Sequence, residues 1–304
     1  MVQSRSDLDD LTTEAGSDAS TDFEARATLE LVQLMNAGDS RVPEAVAAAS
    51  TSIADAIDAI AARMREGGRL VYVGAGSSGR IAALDASESE STFSTEPGVV
   101  VAVVAGGEDA PPLEQDAAED DREAGARDLS VLDVDPRDSV VAVSASGRTP
   151  YVLGAIAAAS EAGALTVCIV SVNDSELAQL ADHEIAVVVG PEFLAGSTRL
   201  KAGTAQKLVL NTLSTLVMIR LGKTYGNLMV DVNATNEKLR ARVRRIVRTA
   251  TGASPEQVDE ALEAANGSAK VAIVSLLAGV DAGEARARLA DTGGSIRRSV
   301  EEPG

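Results

Sequence analysis

The sequence predicts an α/β protein with a doubly wound, five-stranded parallel sheet, preceded by helices and followed by a small C-terminal helical domain. From Arg69 onward, five short apolar runs alternate with helical stretches, and each run is continuously apolar, as in strands covered on both faces. Hydrophobic residues make up 45% of the 304 residues but aromatic residues only 2%, so small aliphatic side chains must build the core. The predicted strands are RLVYV, GVVVAVVA, DSVVAVSA, ALTVCIV and EIAVVV.

Helices are expected on both sides of these strands. Before them, apolar residues recur at helical spacing through FEARATLELVQLMNA and VPEAVAAASTSIADAIDAIAARMREGG. After the fifth strand, a long helix is predicted from about Thr204 to Leu221. Beyond it we predict three short helices, with turns at Gly252 and Gly267.

Composition divides the chain into three parts. Residues 1–20 are polar and acidic without a periodic pattern, which is typical of an extended arm. Residues 21–238 are predicted to form the main domain together with its N-terminal helices. Residues 239–304 are predicted to form the small helical domain.

The charge balance excludes several classes of partner. With 46 acidic and 27 basic residues and a net charge of −19, neither nucleic acid nor an anionic membrane is expected to bind.

Cys168 is the only cysteine, so no intrachain disulfide forms. No apolar run approaches the roughly 20 residues of a membrane helix, and no cluster of His, Cys and Asp residues suggests a metal site. We therefore expect a cytoplasmic protein.

Two loops rich in glycine and serine follow the first and third predicted strands. They are GAGSSGR at residues 74–80 and SASGRTP at residues 144–150, and each runs into a helix. The carboxyl ends of parallel strands meet at one edge of a sheet, so free N–H groups and helix dipoles from both loops point at a common space. Such a space favours an anion.

The first loop also matches G-x-G-x-x-G, a pattern typical of dinucleotide sites. A dinucleotide site needs an acid at the end of the second strand, whereas that strand ends at Gly106-Gly107 with Glu108 beyond it. Neither loop carries the lysine of a P-loop. The many hydroxyl groups favour a compact phosphate, with a bound dinucleotide as the alternative. The predicted phosphate-binding residues are Gly76, Ser77, Ser78, Ser144, Ser146, Gly147 and Thr149.

Five segments resemble the N-acetylmuramic acid 6-phosphate etherases, a branch of the sugar isomerase (SIS) superfamily. The likeness covers nearly the whole chain and is most distinctive over residues 196–242. It implies a flavodoxin-like SIS sheet and a homodimeric lyase without a cofactor. The implied substrate is an amino-sugar 6-phosphate, whose D-lactyl ether is cleaved to give N-acetylglucosamine 6-phosphate and D-lactate. The segments are GAGSSGR…LDASE, EDDREAG, SASGRTPYVLGA, GSTRLKAGTAQKLVLNTLST and GNLMVDVNATNEKLRAR.

The resemblance places the two catalytic carboxylates at Glu88 and Glu119. Cleavage needs a base for the C2 proton of the open-chain aldehyde and an acid for the leaving oxygen on C3, and carboxylates in unlike environments divide these roles. We assign Glu88 as the proton donor and Glu119 as the base. Further residues expected to bind the substrate or supply positive potential are Arg80, Arg148, Ser197, Thr198, Arg199 and Lys201.

The chain departs from the family beside the proposed acid. Ser89-Glu90-Ser91 stands where the etherases carry Cys-Pro-Pro, which frees the backbone there. Two other functions are open. An aldose–ketose isomerase of the same superfamily would bind the phosphate in the same way but release nothing. A non-catalytic amino-sugar-phosphate sensor, like the glucokinase regulatory protein, would carry two SIS domains where this chain has one.

Overall fold

The structure, a computed structural model, falls into two compact units. The first contains Met1–Ala86 and Gly98–Leu213, and the second contains Ser87–Pro97 and Ser214–Gly304. The predicted domain limits stay a prediction, and the predicted arm at residues 1–20 lies outside the described residues. The structure describes residues 22–107, 117–232 and 237–301.

A five-stranded parallel sheet forms the centre of the first unit, as predicted. The strand order is β2-β1-β3-β4-β5, and β1, β3 and β4 are completely buried. From β1 the chain adds β2 on one side of the sheet and then adds β3, β4 and β5 on the other side, so the switch point lies between β1 and β3. Open α/β sheets bind their ligands at such a switch point. The strands are β1 Leu70–Gly74, β2 Val100–Val104, β3 Ser139–Val143, β4 Leu165–Val170 and β5 His183–Ala186.

Helices of the first unit pack on this sheet through apolar faces. In α3 the residues Ile53, Ile57, Ile60 and Met64 recur at helical spacing and are all buried. A short 3₁₀ helix, Phe23–Ala25, precedes α1. The helices that lie in this unit or begin in it are α1 Thr28–Asp39, α2 Val42–Ala48, α3 Ser50–Arg65, α4 Gly76–Phe93, α5 Arg122–Ser130, α6 Pro150–Glu161 and α7 Lys201–Arg220.

The second unit contains more helices than predicted. The prediction of three short helices after α7 was wrong, because the described residues there form five helices and a hairpin. Serine or aspartate side chains cap four of these helices at Ser254, Ser268, Asp281 and Ser295 and so divide the segment. The elements are β6 Thr224–Tyr225, β7 Leu228–Met229, α8 Glu237–Thr251, α9 Pro255–Ala264, α10 Ala269–Ala278, α11 Ala282–Asp291 and α12 Ile296–Val300.

Within the described ranges, no single helix is long and apolar enough to cross a bilayer. Two strongly bent helix pairs, α1–α2 with α3 and α9 with α10, reach that length and apolar composition only when the helices of each pair are taken together.

Candidate functional site

The first glycine-rich loop is shorter than predicted, because α4 already begins at Gly76. A Cβ atom at Gly74 would lie 2.7 Å from the Cα atom of Gly79, so this pair of glycines lets the helix start directly on the end of β1. Gly76 has a φ of +53°, which favours glycine. Gly76, Ser77 and Ser78 are half-buried and form the first helical turn, whose N–H groups have no partner within the helix.

The second loop is held in shape by its own hydroxyl groups. Ser144 Oγ accepts a hydrogen bond from the Gly147 N–H at 3.1 Å and lies 2.9 Å from Thr149 Oγ1. Ser144 and Thr149 are buried, whereas Ser146 is half-buried and Arg148 is exposed. Gly147 has a φ of +63°. Two of the predicted phosphate ligands therefore also fix the loop, and α6 begins directly after it at Pro150.

The sheet brings the two loops side by side. β1 and β3 are hydrogen-bonded neighbours, and Gly74 at the end of β1 pairs with Val143 at the end of β3. Adjacent strands lie about 4.8 Å apart, so the loops leave the sheet next to one another at its switch point. We refer to residues 76–78 and 144–149 together as the cradle. Glu108, the nearest acid for the dinucleotide alternative, lies outside the described residues.

Glu119 lies next to this cradle. A Cβ atom at Gly76 would lie 3.5 Å from Glu119 Oε2, which places the carboxylate at the first turn of α4. Glu119 is half-buried and precedes α5, whose N-cap Asp121 accepts a hydrogen bond from the Ala124 N–H at 2.8 Å. The structure therefore brings one of the two predicted catalytic carboxylates to the predicted phosphate site.

Glu88 has a different position. It is exposed on α4, twelve residues after Gly76 in the same unbroken helix. Of the residues that replace the family's Cys-Pro-Pro, Ser89 is buried, whereas Glu90 and Ser91 are exposed. The turn of α4 that carries Glu88 is not the turn that forms the cradle.

The segment before α7 is ordered by a buried carboxylate. Glu192 is fully buried, and its two oxygens accept hydrogen bonds of 2.9 Å from the N–H groups of Lys201 and Ala202. This capping explains why α7 begins before Thr204, earlier than predicted. The Nζ atom of Lys201 is also buried and donates to the Val189 carbonyl oxygen at 2.8 Å. Ser197 and Thr198 are half-buried, and Arg199 is exposed.

Sequence reasoning missed Glu192 because its partners lie nine and ten residues away, and no local capping pattern has that spacing.

Sequence reasoning also missed a buried polar group beneath α4. The hydroxyl of Tyr72 donates to Asp85 Oδ2 at 2.9 Å, and Lys207 Nζ lies 3.9 Å from Asp85 Oδ1. Burial, reinforced by the charge of Asp85, raises the pKa of Tyr72 well above its usual value. This group ties α4 to β1 and α7.

The described residues offer no evident metal site. Within residues 22–107, 117–232 and 237–301, no three His, Cys, Asp or Glu side chains converge as metal ligands do. The polar groups at the cradle are hydroxyls and backbone N–H groups, which donate hydrogen bonds to an anion.

Comparison with known proteins supports the resemblance. Residues 52–160 match the family model of the glucokinase regulatory protein N-terminal SIS domain, and residues 118–216 match that of the SIS domain. The N-acetylmuramic acid 6-phosphate etherase of Rubrobacter xylanophilus is 57% identical and covers 97% of each chain. That of Streptomyces coelicolor is 55% identical, over 97% of this chain and 95% of its own.

A solved structure shares the fold. The phosphoheptose isomerase of Francisella tularensis superposes with a TM-score of 0.51 at 18% identity, covering 64% of this chain and 100% of its own. At that identity, the likeness concerns the fold alone. The predicted resemblance is confirmed by relatives that share more than half of their residues with this chain along almost its whole length. The chain belongs to the N-acetylmuramic acid 6-phosphate etherase family.

Proposed function

We propose that this chain cleaves the D-lactyl ether of N-acetylmuramic acid 6-phosphate and yields N-acetylglucosamine 6-phosphate and D-lactate. The observation that carries the proposal is the position of Glu119. Its carboxylate lies at the first turn of α4, beside two loops suited to a phosphate. The family membership supplies the substrate, since relatives above 50% identity bear the name of this activity.

The cradle binds the phosphoryl group of the substrate. A phosphate monoester carries about −1.5 to −2 charges near neutral pH, and the N–H groups at the starts of α4 and α6 present positive partial charge to it. The hydroxyls of Ser77, Ser78 and Ser146 add donors that rotate toward its oxygens. With the phosphate held there, the sugar carbons extend past Glu119.

Glu119 acts as the base in this proposal. The open-chain sugar is an aldehyde, so removal of the C2 proton leaves a carbanion that the adjacent carbonyl group stabilises. The electron pair of the C2–H bond then forms a C2–C3 double bond as the C3–O bond to lactate breaks. The leaving oxygen takes a proton from Glu88, which acts as the general acid.

Hydration completes the reaction. Water adds to C3 of the unsaturated aldehyde and gives up a proton to the carboxylate left by Glu88. C2 regains a proton from Glu119, so both carboxyl groups return to their starting states. The sum is one water consumed, one ether bond broken and one lactate released, and it needs no redox partner.

The location and the assembly are part of the same proposal. We place the enzyme in the cytoplasm, because its substrate is a phosphorylated sugar and its single cysteine is a buried free thiol, typical of a reducing compartment. We propose a homodimer as the active form, as the family resemblance implies.

The direct test is to incubate the purified protein with N-acetylmuramic acid 6-phosphate and assay D-lactate. Glu119→Gln and Glu88→Gln should each lower turnover by about 10² to 10⁴-fold while N-acetylglucosamine 6-phosphate still binds. Glu90→Gln is the matched control, because this exposed carboxylate neighbours Glu88 and has no assigned role. Bound substrate without lactate release, or an aldose–ketose product, would overturn the proposal.

A further inference from the structure

A two-helix element occurs twice in the second unit. α9 and α11 are both ten residues long, and α10 and α12 each begin five residues after the preceding helix ends. The first copy begins at the N-cap Ser254 and the second at the N-cap Asp281, an offset of 27 residues. In the turns between the helices, Asn266-Gly267 and Gly293-Gly294 all have left-handed φ angles, between +53° and +81°. The two turns therefore have the same backbone shape, and they differ in what surrounds them.

The turn of the second copy is covered by other parts of the chain. A Cβ atom at Gly222 would lie 3.2 Å from the carbonyl oxygen of Gly294, and a Cβ atom at Gly294 would lie 3.2 Å from Lys270 Nζ. The Arg298 guanidinium donates a hydrogen bond to the Thr292 carbonyl oxygen of the same turn. Backbone and side chains of the chain itself thus occupy the space beside this turn.

The turn of the first copy lines a cavity of about 520 Å³. Residues 266–268 and Ala269, the first residue of α10, form one side of this cavity. The first N–H groups of a helix have no acceptor within the helix, and they present positive partial charge to the space in front of them. The volume is within the range that small-molecule sites have in proteins. The remaining lining residues all belong to the second unit as well.

This cavity has an excess of positive charge in an acid-rich chain. Among the described residues, Asp231 is the only carboxylate that lines it. Lys270 Nζ donates to Asp231 Oδ2 at 2.8 Å, and Lys223 Nζ lies 3.2 Å from the same oxygen, so one carboxylate faces two ammonium groups. Arg240 of α8 also lines the cavity, and within the described residues its guanidinium has no hydrogen bond or ion pair. Three cations and one carboxylate leave two positive charges uncompensated, although the whole chain has a net charge of −19.

Ser94 adds a hydrogen-bond donor that has no acceptor. It lines the cavity and directly follows α4, with a φ of +47° that glycine adopts more readily. Its Oγ atom is buried and has no hydrogen-bond partner among the described residues. Buried hydroxyl groups normally have a partner, because their loss of hydration is otherwise uncompensated. An acceptor is therefore missing beside Ser94, in the wall of a positively charged cavity.

We propose that this cavity binds a phosphoryl group, either free phosphate or a small phosphate monoester, through Lys223, Arg240 and Ser94. A phosphate monoester carries about −1.5 to −2 charges near neutral pH and so matches the local excess of two positive charges, whereas a monocarboxylate neutralises only half of it. Phosphoryl oxygens accept hydrogen bonds from ammonium, guanidinium, hydroxyl and helix N–H groups alike. The second unit thus has a ligand site built from its own residues, independent of the reaction proposed above.

The five lysines of the chain provide a direct readout of this site. Protein labelled with ¹³C at the lysine ε carbons is titrated with inorganic phosphate and, separately, with N-acetylglucosamine 6-phosphate, at constant ionic strength. The NMR signals of Lys223 and Lys270, assigned with Lys223→Arg and Lys270→Arg, should move together and saturate with one Kd. Either ligand moving them supports a phosphoryl site, and the lower of the two Kd values identifies its source.

Sodium D-lactate at the same ionic strength is the matched control for charge, and it should leave both lysine signals in place. Signals that do not move in about 50 mM phosphate, where even a millimolar site is saturated, would overturn the proposal. Movement of the same size with D-lactate would also overturn it, because screening by salt would then explain the shift.

Two substitutions remove donors from the cavity without breaking a contact among the described residues. Ser94→Ala and Arg240→Gln should leave Tm unchanged, since neither side chain has a hydrogen-bond partner there. Their combination should raise the Kd measured at the Lys223 signal at least about tenfold, because two hydrogen bonds to a charged ligand are lost. A folded double variant with wild-type affinity would overturn the proposal. Arg297→Gln is the matched control, because this exposed residue has in the second copy the position that Lys270 has in the first, and its loss should not change Kd.

A substitution in the cradle separates this site from the proposed function. Ser146→Ala removes a hydroxyl group from the first unit and should leave the phosphate titration at Lys223 unchanged. Protein that releases no D-lactate but shows the Lys223 titration contradicts the proposed function and supports this site. Protein that releases D-lactate while its Lys223 signal never moves contradicts this site alone.

Discussion

Gly154 in α6 lies so close to the carbonyl group of Arg122 in α5 that no Cβ atom fits between them. Gly125 in α5 makes the reciprocal contact with the carbonyl group of Tyr151. These backbone contacts occur in the first turns after Glu119 and after the second loop of the cradle. The Tyr151 hydroxyl adds a 2.7 Å hydrogen bond to Asp128 Oδ2. The crossing of α5 and α6 therefore sets the distance between the base and the phosphate site.

Gly154→Ala should reduce turnover and leave ligand binding nearly unchanged. α6 is buried along most of its length, whereas α5 buries only Gly125 and Leu129, so α5 is the helix that moves outward. Since a misplacement of about 1 Å costs on the order of 10²-fold in rate, kcat for D-lactate release should fall by about that factor. Calorimetry with N-acetylglucosamine 6-phosphate should show a Kd within a few-fold of the wild type.

Gly38→Ala is the control for this substitution, because a Cβ atom there has open space and helical backbone. It should change neither kcat nor Kd. A Gly154→Ala enzyme with full turnover would show that the crossing does not position Glu119. Gly125→Ala should reproduce the loss from the opposite helix.

Glu192→Gln should weaken both the fold and substrate binding. Both oxygens of Glu192 accept backbone N–H groups, whereas glutamine offers one acceptor and turns an N–H₂ group toward the other donor. Leaving a buried N–H unsatisfied costs about 1–3 kcal/mol of unfolding free energy, measurable by urea titration. Because the loop with Ser197 and Thr198 loses its anchor, KM for the substrate should rise more than kcat falls.

The control for Glu192 is Glu161→Gln, an exposed carboxylate at the end of α6. It should leave the urea midpoint and KM unchanged. If Glu192→Gln unfolds at the wild-type midpoint, its carboxylate does not hold the start of α7.

The sheet was predictable because short, continuously apolar, valine-rich runs are typical of strands that are buried on both faces at the centre of a parallel sheet. Local signals also located the start of α6 at Pro150, whereas α4 begins at Gly76, inside the predicted loop. In the second unit they located the turns at Gly252 and Gly267 but missed the two later breaks, where Asp281 and Ser295 cap α11 and α12. Each of these two breaks depends on one polar side chain that accepts backbone N–H groups of the next turn, and the apolar spacing around it continues.

The site was predictable only in part, for a geometric reason. Residues at the ends of neighbouring strands must meet, so the two loops of the cradle were correctly paired from sequence. Glu119 lies beside Gly76 through contacts between segments more than forty residues apart, and only the family resemblance pointed to it. The predicted substrate role of Lys201 stays a prediction, since its Nζ atom is buried against the Val189 carbonyl group.

Acid should destabilise the protein through Asp138. Burial acts to raise the pKa of this carboxyl group, but hydrogen bonds from the Arg69 side chain and from two backbone N–H groups outweigh it and hold the pKa below its usual value. The pKa of Asp138 is therefore lower in the folded protein than in the unfolded chain, where it is about 3.9. The ionised carboxylate contributes its full stabilisation at pH values above the unfolded-state pKa, and this stabilisation is lost as the pH falls through the folded-state pKa. Urea midpoints should be steady from pH 7 to 5 and fall below about pH 4.

Asp138→Asn should remove this part of the acid dependence. At pH 7 the variant should lose at least about 2 kcal/mol of unfolding free energy, because the Arg69 guanidinium loses a charged partner that is itself buried. Asp55→Asn, at an exposed position on α3, should keep the wild-type profile. An Asp138→Asn protein whose stability falls with pH as steeply as the wild type would contradict this assignment.

Cys168 should be inert to thiol reagents in the native protein. It is completely buried in β4, and burial, reinforced by the charge of Glu184 on the paired strand, raises the pKa of its thiol to about 12. The reactive species is the thiolate, so neither access nor charge favours modification at neutral pH. Labelling with a chromogenic disulfide should be negligible in buffer and reach one equivalent in guanidinium chloride, since Cys168 is the sole cysteine. Ser160→Cys, at an exposed position of α6, should add one rapidly reacting thiol. Rapid labelling of the unsubstituted native protein would mean that β4 opens far more readily than its central place in the sheet implies.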